Sequence, residues 1–153
     1  MKWLEARIPP PLVALLVAIG MWALAPALPV PGETTTERLV AALACVLLGA
    51  VTSLAGVVEF RRSRTTVNPL KPETASSLVN GGVYRLTRNP MYVGFLFVLL
   101  GWAVWLWAPW PWLGLPLFKL FLTRFQIVPE ERAMEKLFGN AYREYRNQVR
   151  RWL

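Results

Sequence analysis

The chain has 153 residues, of which 55% are hydrophobic and 17% are charged, with a formal net charge of +8. The apolar residues come in blocks, not along one helical stripe, which excludes an ordinary soluble domain and predicts a single membrane-embedded domain. Lysine and arginine gather between and after these blocks, a pattern typical of loops beside membrane spans and not of nucleic-acid binding. Histidine is absent and the single cysteine, Cys45, lies in an apolar run, so the sequence predicts neither a metal site nor a disulfide.

The apolar blocks predict the fold class, which is all-α. A helix needs about 20 apolar residues to cross a bilayer, and the blocks predict four transmembrane helices at about 11–30, 39–58, 91–107 and 112–125. The first block is interpreted as a retained span and not a signal peptide, because three further blocks follow it. The second contains Gly49, Ser53 and Gly56, whose spacing favours close helix packing. Only residues 108–111 join the last two blocks, so these two must form a tight antiparallel hairpin.

The basic residues predict the orientation of the spans. They are concentrated in the loop between the second and third blocks and in the tail after the fourth. By the positive-inside rule, both termini face the cytoplasm, in a bacterial or archaeal inner membrane. We expect the tail after Pro129 to form an amphipathic helix along the cytoplasmic surface, interrupted at Gly139-Asn140.

Two polar segments are predicted to share a pocket at that surface. The segment 82–94 leads into the third block and 126–131 leaves the fourth, so a hairpin brings them together. Asn89 and Pro90 can open the third helix, with Asn89 as its cap, and free amides there favour an anion. The other groups are a forked cation, two carboxylates and four aromatic faces: Arg88, Glu130, Glu131, Tyr84, Tyr92, Tyr142 and Tyr145. An amino acid joined to a nucleoside matches this mixture.

Each group also has a simpler interpretation. Arg88 can serve only as a cytoplasmic anchor, the glutamates as caps of the tail helix, and the tyrosines as anchors at the membrane surface. The joint occurrence favours a binding site.

Several motifs together identify a family. The stretch Gly-Val-Tyr-Arg-Leu-Thr-Arg-Asn-Pro-Met-Tyr-Val-Gly (82–94), then Leu-Gly-Trp (100–102), Glu-Glu (130–131) and Phe-Gly-Asn-Ala-Tyr-Arg-Glu-Tyr (138–145) resembles the isoprenylcysteine carboxyl methyltransferase and phospholipid methyltransferase superfamily. The resemblance covers about residues 65–153, which would be the cofactor-binding half. It implies an integral-membrane methyltransferase that uses S-adenosylmethionine and releases S-adenosylhomocysteine.

The resemblance also implies roles for individual residues. Six of them would surround the amino-acid and sulfonium portions of the cofactor: Tyr84, Arg88, Asn89, Pro90, Tyr92 and Gly94. Glu130 and Glu131 would hold its polar groups, while Tyr142 and Tyr145 would close the pocket. Arg88 and Glu131 are the predicted catalytic residues, with Glu131 accepting a proton from an amine or thiol acceptor.

The acceptor is predicted only by class. Asn89 stands where the carboxyl-methylating branch usually has histidine, which favours a phospholipid amine or another lipophilic acceptor over a prenylcysteine. The segment 65–69 lines the acceptor side or is a plain loop. The predicted partners are thus membrane lipids and a lipophilic acceptor, with no nucleic acid and no metal.

Two other functions are compatible with these spans. One is a non-catalytic membrane subunit or assembly factor that keeps the fold. The other is a four-span transporter, which is disfavoured because the predicted spans lack ionisable groups at mid-membrane depth apart from Lys119.

Overall fold

The computed structural model describes residues 5, 7–27, 35–63 and 77–153. In this part of the chain every regular element is helical, as predicted. The α-helices are α1 (Pro10–Leu24), α2 (Thr36–Arg62), α3 (Pro90–Leu106), α4 (Gly114–Leu122) and α5 (Val128–Gln148). Three 3-10 turns cover Ala25–Ala27, Gly82–Arg85 and Trp110–Leu113, and a π-helical turn covers Thr123–Ile127.

Helix α2 extends beyond the predicted 39–58 at both ends. It begins after Thr35, whose hydroxyl accepts a hydrogen bond from the Arg38 amide at 3.2 Å. Glu37 lies in its first turn, and Arg61 and Arg62 lie in its last. Each charge opposes the partial charge of its helix end, so the polar flanks stay helical. At 1.5 Å per residue, the 27 residues give a helix about 40 Å long.

Helix α1 is shorter than the predicted 11–30. It ends at Leu24, and Pro26 lies in the 3-10 turn that follows. Proline has no amide hydrogen and its ring clashes with the preceding turn, so the α-helix does not continue through it. Residues 28–30 of the prediction lie outside the described residues, as does the segment 65–69.

The fourth predicted span is wrong as a single helix over 112–125. The chain passes from a 3-10 turn through the nine residues of α4 into the π-helical turn, and then directly into α5. The Val128 amide donates to the carbonyl of Thr123, five residues back, which defines the wider turn. Pro129 cannot donate a hydrogen bond and its ring crowds the carbonyl four residues earlier, and the π-turn relieves that crowding. Pro129 therefore lies in the first turn of α5, as predicted, although α5 follows the π-turn without a break.

One helix of the described residues, α2, is long and apolar enough to cross a bilayer by itself. Helices α1 and α3 are apolar but have only 15 and 17 residues. Four full-length spans are therefore not confirmed. In the most apolar window of α2, only 17% of the residues are buried, so this helix turns most of its apolar surface outward. A core helix of a soluble protein would be mostly covered.

Helices α2 and α3 pack along a seam of small residues, as predicted for Gly49, Ser53 and Gly56. A methyl group added at Gly49 would lie 2.5 Å from the Gly94 carbonyl oxygen, and one at Gly101 would lie 2.7 Å from that of Ala42. The Ser53 hydroxyl donates to the Met91 carbonyl at 3.3 Å. The two backbones approach this closely because glycines occupy the points of closest contact.

Two apolar clusters lie at different levels of the molecule. The larger joins α1, α3 and α4 and confirms that α3 and α4 pack as a hairpin; its buried members are Val13, Met21, Tyr92, Leu99, Ala103, Phe118, Leu122 and Ile127. The smaller joins the turn 82–85 to α5 through the buried residues Val79, Tyr84, Tyr142 and Tyr145. Helix α5 is broken at Gly139, where φ is 53° and ψ is −121°, as the sequence predicted. The tail therefore folds back onto the segment that precedes α3.

Candidate functional site

The two polar segments meet at the start of α3. The Tyr92 hydroxyl donates to Glu130 Oε1 at 2.5 Å, and Arg88 Nη2 lies 3.1 Å from Glu131 Oε1. Tyr92 lies in the first turn of α3 and the two glutamates in the first turn of α5. The convergence that the hairpin predicts is therefore present in the structure.

Glu130 is enclosed among neutral donors. Its Oε1 accepts from Tyr92 and also from the side-chain amide of Gln126 at 3.1 Å. Burial raises the pKa of the Glu130 carboxyl to about 7, although the two hydrogen bonds oppose that shift and the neighbouring Glu131 adds to it. A carboxyl group in this range can hold or release a proton near neutral pH.

Glu131 has cationic partners instead. Besides Arg88 it contacts Arg151, whose Nε donates to Oε1 at 2.9 Å and whose Nη2 donates to Oε2 at 2.6 Å. The Arg151 pair is bidentate, the geometry that gives guanidinium–carboxylate pairs their strength and direction. Both oxygens of Glu131 are thus occupied by guanidinium donors.

Arg88 is held by two hydrogen-bonding partners, while its Nε donor has no acceptor among the described residues. Its side chain is 9% exposed, and its Nη1 donates to the Tyr142 hydroxyl at 3.4 Å. Its Nε is buried and has no hydrogen-bond partner among the described residues. A buried donor without an acceptor costs about 1–3 kcal/mol. An acceptor that enters this site, such as a carboxylate, would satisfy that donor.

The C-terminal segment 149–152 lies against residues 87–89. The Arg88 amide donates to the Arg150 carbonyl at 2.9 Å, and the Thr87 hydroxyl donates to that of Arg151 at 3.2 Å. Asn89 Nδ2 donates to the same Arg151 carbonyl at 2.8 Å.

The prediction that the Asn89 side chain caps α3 is therefore wrong. Asn89 occupies the N-cap position, but its side chain makes no capping hydrogen bond. Its side chain is turned towards the C-terminal segment, where Nδ2 donates to the Arg151 carbonyl, and its oxygen accepts no amide of the first turn.

Three of the predicted tyrosines form one wall of the site. The Tyr145 hydroxyl donates to the Tyr84 carbonyl at 2.8 Å, and the rings of Tyr142 and Tyr145 meet edge to face with centroids 6.3 Å apart. Burial raises the pKa of all three hydroxyls, to about 12 for Tyr142, where nearby Glu131 adds to the rise and Arg88 opposes it. These hydroxyls therefore stay protonated and act as hydrogen-bonding groups.

Pro90 and Gly94 have packing roles in the structure. Pro90 is the first residue of α3 and is fully buried. A Cβ atom on Gly94 would overlap the Ser53 hydroxyl, so the helix seam requires glycine at this position. Contact of either residue with a cofactor stays a prediction.

Sequence reasoning assigned no role to three members of the cluster, Thr87, Gln126 and Arg151, although the first two lie in the predicted polar segments. Thr87 and Gln126 are 1% and 3% exposed. The usable signal for Gln126 is its spacing, because it lies one helical turn before Glu130. Arg151 gave no local signal, since it looks like any basic residue of a cytoplasmic tail. Among the described residues, no group of three acidic or sulfur-bearing side chains is arranged to hold a metal ion.

Comparison with known proteins finds one matching family and several relatives. The family description "Phospholipid methyltransferase" matches residues 37–141, which include both polar segments. A protein described as uncharacterized from Haemophilus influenzae is 46% identical over 63 residues, which are 41% of this chain and 100% of that protein.

Named relatives match a longer stretch. A probable protein-S-isoprenylcysteine O-methyltransferase of rice is 38% identical over 110 residues, 70% of this chain and 56% of its own length. A protein-S-isoprenylcysteine O-methyltransferase of fission yeast is 32% identical over 111 residues, 71% of this chain and 46% of its own length. The chain thus spans about half the length of these relatives. No solved structure matches it significantly.

Proposed function

Because this chain belongs to the phospholipid methyltransferase family, within the superfamily of the isoprenylcysteine carboxyl methyltransferases, we propose that it transfers a methyl group from S-adenosylmethionine to a lipophilic acceptor. The transfer would take place at the cytoplasmic face of a membrane. The observation that carries the proposal is the cluster around Arg88. There a buried N–H donor with no acceptor in the described part of the chain adjoins two carboxylates whose surroundings differ.

The residues present fit the polar groups of this cofactor. Arg88 would bind the carboxylate of its amino-acid portion through the Nε that has no protein acceptor among the described residues. Glu130 and Glu131 would accept hydrogen bonds from its ammonium group and ribose hydroxyls. Tyr84, Tyr142 and Tyr145 would supply the aromatic wall. Arg151 would hold Glu131 in position through its bidentate pair.

The bound cofactor supplies a methyl group already activated by a sulfonium. The protein then contributes positioning and the exclusion of water more than acid–base chemistry. Where the acceptor must lose a proton, Glu130 is better placed to receive it than the predicted Glu131. Glu130 has a pKa of about 7 and neutral partners, whereas both oxygens of Glu131 are occupied by arginine donors.

The acceptor is proposed by class. The family description names phospholipids, and the relatives are named as O-methyltransferases of isoprenylcysteine. Phospholipids and isoprenylcysteines are both lipophilic molecules found at a membrane surface. Asn89 stays the sequence feature that favours a phospholipid amine, and in the structure its Nδ2 donates to the Arg151 carbonyl. An acceptor carboxylate would have no proton to lose, whereas an amine would require the proton-accepting group.

The membrane location rests on the exposed surface of the helices. The outward side chains of α1 and α2 include Leu15, Leu16, Leu47, Val51 and Leu54, each more than half exposed. An apolar surface of this extent is stable in lipid and not in water. We propose that α1, α2, α3 and the hairpin arm formed by α4 are the four spans, with both termini cytoplasmic.

Isothermal titration of S-adenosylmethionine into the purified protein in detergent tests the proposal. We expect the wild type to bind, and Arg88→Ala and Glu131→Ala each to weaken binding at least about tenfold, since each removes a charge-assisted hydrogen bond. Glu135→Ala is the matched control. It removes a carboxylate of the same helix whose partners, Arg143 and Arg146, lie on the exposed surface.

Two results would contradict the proposal. The first is a wild-type protein that does not bind the cofactor although a thermal unfolding transition shows that it is folded. This result would favour the non-catalytic membrane subunit. The second is equal loss of binding in Glu135→Ala and Glu131→Ala, which would show a general effect of charge on the tail helix.

A further inference from the structure

An apolar cavity lies between α1, α2 and α3, away from the candidate site. Its volume is about 590 Å³, within the range of pockets that hold ligands. The lining is almost entirely apolar and includes Leu15, Leu43, Val46, Val98 and Trp105. A cavity with this lining suits a hydrocarbon chain and offers little to a polar ligand.

One cation lies at the rim of this cavity. The Arg38 guanidinium carbon is 5.8 Å from the ring centroid of Trp105 and 6.0 Å from that of Trp107. Both distances are within the range of cation–π attraction, which holds the guanidinium beside the cavity. Trp105 and the neighbouring Leu39 also line the cavity, so the cation and the apolar lining are adjacent.

The backbone at this rim is in an uncommon conformation. Trp107 ends α3 with φ at 49° and ψ at 44°, the left-handed region that a bulky residue rarely adopts. The indole of this residue is one of the two that contact Arg38. Strain of this kind persists where the surroundings require it, often at a binding site.

Arg38 supplies the positive charge at this end of the molecule. It is the only lysine or arginine in residues 8–60, and residues 89–118 contain none. Glu37 lies beside it in the first turn of α2. The candidate site is at the other end of α3, since residues 90 and 105 are about 22 Å apart along a helix.

We infer that the cavity and Arg38 form a binding site for an anionic phospholipid. One acyl chain would lie in the apolar cavity and the phosphate would receive hydrogen bonds from the forked guanidinium. Because its headgroup lies at the opposite end of α3 from Arg88, this lipid is not a methyl acceptor. It would instead brace α1 and α2 against α3. The inference rests on the proposed membrane location but does not depend on methyl transfer.

Native mass spectrometry in a mild detergent tests the inference, with phosphatidylglycerol and phosphatidylcholine of identical chains as probes. We expect one phosphatidylglycerol per chain, bound about tenfold more tightly than phosphatidylcholine, because only the former lacks a headgroup cation to compete with Arg38. Arg38→Gln should lower the affinity for phosphatidylglycerol to that for phosphatidylcholine. Leu43→Trp should weaken both lipids, since this half-exposed side chain lines the cavity and a larger one would fill it.

Arg62→Gln is the matched control, because it removes the same charge from the other end of α2, where the side chain is 75% exposed. It should leave the preference for phosphatidylglycerol unchanged. Thermal unfolding without added lipid establishes whether each variant is folded. If Arg38→Gln does not fold, Leu43→Trp still tests the site. Titration of Arg38→Gln with S-adenosylmethionine should give the wild-type affinity, which separates this inference from the proposed function.

Three results would overturn the inference. Equal binding of the two lipids to the wild type would show an apolar groove without headgroup selection. Equal losses in Arg38→Gln and Arg62→Gln would show only a general attraction to anionic lipid. A lipid-free dimer that Leu43→Trp dissociates would show that a second copy of the chain covers the cavity.

Discussion

Adjacent residues in this site have opposite electrostatic surroundings. Glu130 accepts hydrogen bonds from the neutral Tyr92 and Gln126, whereas Glu131 is paired with two arginines. Burial without a cation raises the pKa of Glu130 to about 7. Pairs of carboxyl groups whose environments differ in this way commonly divide the roles of proton carrier and fixed anion. One helical turn thus supplies both kinds of carboxylate.

Replacement of Glu130 by glutamine should change how stability depends on pH. The folded-state pKa is raised above the ordinary value of 4.5, so the folded protein binds the proton more tightly than the unfolded chain does. The contribution of this group is complete below pH 4.5 and is lost as the pH rises to about 7. Glu130→Gln should remove this loss, which is on the order of 3 kcal/mol.

Thermal unfolding in detergent from pH 4 to pH 8 measures the effect of Glu130→Gln, as the difference from wild type at each pH. Glu135→Gln is the control, because Glu135 has a lowered pKa owing first to its hydrogen bond from Arg143. Its difference from wild type should instead grow as the pH rises through the acid range. Parallel curves for the wild type and Glu130→Gln would contradict the assignment.

At the scale of elements, the seam between α2 and α3 positions the site. Gly56 of α2 faces Pro90 and Met91, and a Cβ atom on Gly56 would lie 2.9 Å from Met91 Cγ. The start of α3, which bears Tyr92, is therefore set by glycine contacts within about two turns of the end of α2 and of the start of α3. The spacing of small residues in the sequence predicts this seam. The π-turn before α5 was not predicted, because it results from the competition between Pro129 and the continuing helix.

Gly94→Ala should destabilise the protein by about 1–3 kcal/mol, as overpacking commonly does. The added methyl group would overlap the Ser53 hydroxyl. It would also lie 2.5 Å from the Gly49 carbonyl oxygen, so the α2 backbone would have to shift. Gly20→Ala in α1 is the matched control, since a methyl group added at Gly20 would have no atom within 4 Å. It should raise stability by about 0.5–1 kcal/mol, because alanine is the better helix former. Denaturant unfolding in detergent distinguishes the two, and equal effects would contradict the seam.

At the scale of the whole molecule, the two ends of α3 differ in charge. The Arg88 end carries the basic tail and the candidate site, while residues 89–118 contain no lysine or arginine. This asymmetry supports the proposed orientation, with the tail in the cytoplasm and the turn 107–113 on the other side.

Cysteine labelling with a membrane-impermeant maleimide tests this orientation in a Cys45→Ala background. Trp110→Cys and Asn147→Cys place single thiols at exposed positions of the turn and of α5. In intact cells we expect labelling at position 110 and not at position 147. Position 147 should become labelled once the membrane is permeabilised. Labelling of both positions from the same side would show that the hairpin of α3 and α4 does not cross the bilayer.

The sequence by itself determined the helical class, the family, the glycine seam and the two polar segments. These depend on local composition and on motifs, and a short connection between α3 and α4 is enough to bring the segments together. Only the tertiary structure decided which partners each side chain has. The Asn89 amide meets the Arg151 carbonyl across 62 residues of chain, and Arg151 meets Glu131 across 20. Such pairs are set by how the helices pack, because no periodicity within one helix encodes the position of a group on another.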